Sequence, residues 1–81
     1  PRPPRPAPAR VFALAPTRLL VFKPRGHVEP RHQHDYGQTL TVLSGRLAVD
    51  FARSRRVLGD RDPPLRIAAG RPHATRALSS V

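Results

Sequence analysis

The chain has 81 residues and no cysteine, so it forms one small domain at most, with neither disulfides nor thiolate metal sites to staple it. Its formal net charge of +10 invites a nucleic-acid reading, but the basic residues are almost all Arg and are scattered along the whole sequence. The aromatics, Phe12, Phe22, Tyr36 and Phe51, are too few and too dispersed for a base-stacking platform.

In chain order, Pro1–Ala9 (PRPPRPAPA) reads as a polyproline-type tail, a flexible arm or a ligand for an SH3-like groove. The expected division is a tail over residues 1–10 and one domain over residues 11–81. No apolar run approaches the roughly 20 residues of a membrane span, and no signal-peptide apolar region is seen, so the expected location is cytoplasmic.

From Val11 onward the pattern predicts short strands separated by Gly and Pro. VFALA (Val11 to Ala15) and RLLVFK (Arg18 to Lys23) flank a turn at Pro16-Thr17. QTLTVL (Gln38 to Leu43) alternates, and Ser44-Gly45 turns into RLAVDF (Arg46 to Phe51). There Leu47, Val49 and Phe51 share one face, and Arg46, Ala48 and Asp50 the other. RRVLGD, Leu65–Ile67 and His73–Leu78 supply the remaining strands. No stretch has helical periodicity, and the regular spacing of strands and turns indicates an all-β barrel or sandwich.

Three of the four histidines lie within GHVEPRHQHDYGQ (Gly26 to Gln38). His32 and His34 are two apart, so on an extended segment both imidazoles reach one point. Gln38 opens the next strand on the same parity as Leu40 and Val42, whose side chains should face the interior. His73, returned by a later strand, can supply a third imidazole. Three neutral nitrogens and an amide oxygen suit Zn, Fe, Mn, Ni or Cu, usually with positions left open for water or substrate. Gln38 stands between two roles, ligand to the ion or hydrogen-bond partner of a water or substrate. Tyr36 is a candidate for the mouth of the site, and Leu40 and Val42 for its apolar wall. His27 and Glu29 form a His-x-Glu pair, expected on the surface of the strand that leads to Pro30.

The stretch GHVEPRHQHDYGQTLTVLSG resembles the first motif of the cupin superfamily, G-x5-H-x-H-x3-E-x6-G. Gly26, His32, His34 and Gly45 fall on that spacing, and Gln38 stands where the family usually has Glu. LGDRDPPLRIAAGRPHATRAL resembles the second motif, G-x5-P-x-G-x2-H-x3-N, through Gly59, Gly70 and His73. Ala68 replaces its Pro, Ala77 replaces its Asn, and the segment from Gly59 is about three residues longer. The resemblance runs from about Arg18 to Leu78. It implies a small antiparallel β-barrel of jelly-roll type holding a divalent transition metal through His32, His34, Gln38 and His73.

Two departures shape the expectations. An amide in place of the carboxylate leaves the full charge of a divalent ion at the site, favouring anionic or enolisable small molecules. Eight residues follow His73 where cupins usually continue, so the barrel is expected to be completed by a partner's strand or by further sequence. An open sheet edge there favours a homodimer. Family members include dioxygenases, isomerases and cyclases, as well as non-catalytic effector-binding and sensor modules, and the fold does not choose among them. A basic nucleic-acid-associated protein is the third reading. No Ser or Cys nucleophile constellation, glycosidase carboxylate pair or phosphate-cradling loop is present.

Overall fold

Short runs of three to six residues between turns rich in Gly, Pro and Ser each become one strand. In the computed structural model, which describes residues 8–81, there are eight of them. They are β1 (Arg10–Ala15), β2 (Arg18–Phe22), β3 (Val28–His32), β4 (Gln38–Leu40), β5 (Leu47–Asp50), β6 (Arg55–Leu58), β7 (Leu65–Ile67) and β8 (His73–Ala77). All pairings are antiparallel, and no helix occurs among the described residues. The all-β expectation holds. The Arg/Pro-rich tail falls mostly on residues 1–7, outside the described residues.

The strands form a four-stranded sheet in the order β3-β8-β5-β6, a two-stranded sheet β4-β7, and the separate hairpin β1-β2. The core contains Val42, Leu47, Val49, Phe51, Leu58, Leu65 and Ile67, with Leu40 and Val81 packed against it. Leu47, Val49 and Phe51 point inward as their alternation predicts. Burying one such side chain contributes about 1.5–3 kcal/mol, so seven of them dominate the stability of a chain this small. Ala48 departs from the alternation: it is fully buried too. Its strand is central, and its ladder neighbours on either side are Val57 and Arg76, beside which a methyl group is shielded.

Two strands differ from their expected extents. The run from Gln38 keeps ladder geometry only to Leu40, opposite Leu65, although Val42 beyond it remains in the core. β3 contains Pro30, which donates no ladder hydrogen bond. It is tolerated because β3 is an edge strand whose register with β8 shifts between Glu29 and His32.

Gly45 turns the chain into β5 with φ of +80°. A Cβ built there would run into the carbonyl oxygen of Ser80, so the C-terminal segment passes directly over this turn. That segment is tied down by Lys23 and Val81, which exchange backbone hydrogen bonds of 2.7 and 3.0 Å.

Candidate metal centre

The histidine cluster follows from strand register. His32 ends β3 and His73 opens β8, and the two are directly paired across the ladder after the register shift. His34 lies two residues past the end of β3. Its carbonyl accepts a 2.7 Å hydrogen bond from the Gly70 N–H, which joins the β3–β4 turn to the turn before β8. Gly70 has φ of +77°, in the left-handed region that lets the chain reverse into His73.

The ring centroids of His32 and His73 are 4.4 Å apart, those of His32 and His34 4.9 Å, and those of His34 and His73 5.7 Å. One ring nitrogen from each lies within 4.8 Å of the other two. Two nitrogens bound at about 2.1 Å to one ion stand at most about 4.2 Å apart, so small rotations of the rings suffice for shared ligation. His73 is 2% exposed, while His32 and His34 are half-buried, leaving one side of the cluster open to solvent.

Hydrogen bonding fixes which nitrogen two of the rings offer. His32 Nδ1 is 2.7 Å from the Pro30 carbonyl oxygen, and His73 Nδ1 is 2.9 Å from the Arg71 carbonyl oxygen. A carbonyl only accepts, so both Nδ1 atoms carry the proton and both Nε2 lone pairs are free. Arg71 is itself anchored, its guanidinium 3.7 Å from the centre of the core ring of Phe51. The carbonyl that orients His73 thus belongs to a residue pinned to the core. His34 stacks on the Tyr36 ring at 4.8 Å and 21°, and Tyr36 is 57% exposed.

Gln38 shares the core-directed face of β4 with Leu40, as its parity predicts. Its Oε1 is buried and has no hydrogen-bond partner. A buried orphan acceptor is costly unless something completes it, so it suits a position that a bound ion or ligand would satisfy. The three imidazoles fit a divalent transition ion, and Gln38 Oε1 is a buried acceptor with no partner. Of the wall residues proposed from the sequence, Val42 belongs to the core and Leu40 packs against it.

Sequence reasoning missed a second polar group on the same side of the sheet. Thr75 lies two residues after His73 on the same face of β8, is 6% exposed, and accepts a 3.2 Å hydrogen bond from Lys23 Nζ. Glu29 pairs with Thr75 across the ladder, 4.0 Å from that ammonium, and its carboxylate accepts a 2.9 Å hydrogen bond from His27. His27 and Glu29 are thus part of a half-buried network rather than a solvated pair. The available signals were that Lys23 is the lone lysine of an Arg-biased chain, and that Thr75 repeats the parity of His73. Burial pulls the Lys23 ammonium below the usual lysine range, with Glu29 opposing. The hydrogen bond from His27 holds the Glu29 carboxyl below the usual glutamate range.

A search of solved structures finds a cupin superfamily protein from Desulfitobacterium hafniense DCB-2, with a TM-score of 0.83 over 98% of this chain and 75% of that one. The fold is cupin-like. At 18% identity the likeness extends to the fold alone. No family model matches the sequence, and no curated protein is found to match it. On this cupin-like fold the three histidines form a candidate metal site. No helix of the described residues is long and apolar enough to cross a membrane.

Proposed function

We propose that this cupin-fold protein binds one divalent transition metal through His32, His34 and His73, with Gln38 Oε1 as the fourth donor, and uses it to bind or transform a small anionic or enolisable molecule. The convergence of the three imidazoles, two of them with Nδ1 committed to backbone carbonyls, carries this reading. A bound ion would supply a Lewis acid for an oxygen of the substrate.

The remaining contributions come from the chain itself. Gln38 adds no charge, so the site keeps the ion's full positive charge and favours anionic partners. The half-buried sides of His32 and His34 leave an approach from solvent, with Tyr36 at its mouth. Arg71 and Pro30 hold two of the rings in the orientation that presents Nε2.

Metal analysis of protein purified without chelator or affinity tag tests the proposal. About one equivalent of zinc, iron, manganese, nickel or copper is expected, falling steeply in His32→Ala. Less than about a tenth of an equivalent, unchanged in His32→Ala, would overturn it.

A further inference from the structure

Lys23 is the only lysine of the chain, and among the described residues its amine is poorly partnered. Its Nζ donates one 3.2 Å hydrogen bond, to the buried Thr75 hydroxyl. The nearby carboxylate oxygen, Glu29 Oε1, stands 4.0 Å away, beyond hydrogen-bond reach, and accepts instead from His27 at 2.9 Å. A lysine kept for a structural ion pair would bring that oxygen to about 2.8 Å. An ammonium has three donors to satisfy, so half-burial beside so few acceptors favours the neutral amine. In keeping with this, burial holds Lys23 below the usual lysine range.

We propose that the Lys23 amine is a covalent capture site for a small aldehyde bearing an anionic group, which joins Nζ as an iminium. The approach is a groove of about 290 Å³ at the base of the β1–β2 hairpin, lined by Lys23 with Arg10, Phe22, Pro24, Ser44 and Val81 among others. The Lys23 side chain keeps 15% of its surface exposed, so the residue spans from this groove to Thr75. Arg10 supplies a cation, and the described residues that line the groove include no acid, which selects an anionic group on the ligand. Phe22, Pro24 and Val81 supply an apolar wall for its carbon skeleton.

Glu29 selects an aldehyde over an acyl donor. An iminium keeps a positive charge on the nitrogen, for which a carboxylate 4.0 Å away is a counter-ion, whereas an amide would leave that carboxylate without one. The step balances within its two reactants. Nζ gives up two protons, its lone pair forms the C–N bond to the aldehyde carbon, and the carbonyl oxygen leaves as water carrying those two protons. The ammonium and the aldehyde thus become the iminium and one water, with charge conserved and nothing oxidised or reduced. Neither the histidine cluster nor an ion takes part, so the proposal is independent of the metal reading.

Glyoxylate with cyanoborohydride, which reduces the iminium to a stable carboxymethyl amine, tests the proposal on the full chain at neutral pH. Peptide mass mapping reads the label at Lys23. Labelling is expected to be at least about tenfold faster in the folded protein than in the same chain unfolded in guanidinium chloride. With acetaldehyde, which has no anionic group, the ratio of folded to unfolded rates should be smaller. Ser44→Trp fills the groove and leaves Lys23 in place, and should bring the folded rate down toward the unfolded one. Labelling no faster in the folded protein overturns the proposal, and so does an unchanged rate in folded Ser44→Trp. Equal ratios for the two aldehydes overturn the anionic requirement. Should Ser44→Trp fail to fold, the comparison of folded and unfolded wild type decides alone.

Discussion

His32 and His73 face each other across the β3–β8 ladder with ring centroids 4.4 Å apart, each holding its Nδ1 proton on the carbonyl of the residue two positions before it. The matching hydrogen bonds on the two strands restrain both rings and leave two Nε2 lone pairs free before any ion arrives. The metal therefore does not have to order these rings, which lowers the entropic cost of binding.

From that pairing, removing either ring should cost more than removing a supporting contact. His32→Ala or His73→Ala is expected to weaken zinc or cobalt binding by more than about 100-fold, beyond the roughly 10–100-fold typical of losing a hydrogen-bond partner to a ligand. His27→Ala should leave metal affinity unchanged, because that ring is engaged with Glu29. Competition titration against a chromogenic chelator measures all three. Equal effects in His27→Ala and His32→Ala would contradict the assignment.

Gln38 should respond in opposite directions with and without metal. Its Oε1 is buried and unpartnered, so Gln38→Leu removes a desolvation penalty and should leave the metal-free protein as stable or about 1 kcal/mol more stable. The same change deletes a proposed donor and should weaken metal binding. Gln38→Glu restores an anionic donor and is expected to strengthen binding by about tenfold or more, while destabilising the metal-free fold through an unpaired buried carboxylate. Chemical denaturation with and without added metal separates the two effects.

The strands and the histidine cluster were legible because both depend on parity. Leu47, Val49 and Phe51 declare an inward face by alternation, and His32, His34 and the Gly45 turn keep motif spacing. The network around Lys23 was not legible, because it forms between residues far apart in sequence: Lys23 and Thr75 are 52 positions apart. Glu29 was read as solvated because a proline follows it, yet the edge position of β3 lets the strand run through Pro30 and turns Glu29 toward Thr75. The shortness of β4 also lay beyond periodicity, since Val42 keeps its inward position without a ladder partner.

Gly45 should be the least replaceable of the turn glycines. Gly45→Ala combines a left-handed backbone with a Cβ driven onto the Ser80 carbonyl, and a loss of about 2–4 kcal/mol is expected. Gly70 has a similar φ of +77°, but open space where its Cβ would stand. Gly70→Ala should therefore cost only the conformational term, about 1–2 kcal/mol. Urea denaturation of the two variants measures the difference. Deleting the last two residues should cost less stability in the Gly45→Ala background than in the wild type, because the clash is with that segment.

The Lys23–Glu29–His27 network predicts how stability changes at both ends of the pH scale. The Glu29 carboxyl is held below its ordinary range by the His27 hydrogen bond, so as acid is added the unfolded chain takes up this proton first. Its contribution to stability is then fully present above about pH 4.3 and is lost as pH falls through the lowered folded value. Lys23 acts in the alkaline range. Burial lowers its folded value, so between that value and about 10.4 the folded chain has already released a proton that the unfolded chain still holds. Stability from this group therefore rises with pH across that window. Glu29→Gln should flatten the acid limb of a stability profile and leave the alkaline limb rising, and Lys23→Met should remove the alkaline rise. Denaturation midpoints from pH 3 to 10 check both. A steeper acid limb in Glu29→Gln would mean that the carboxylate is not held by His27 in solution.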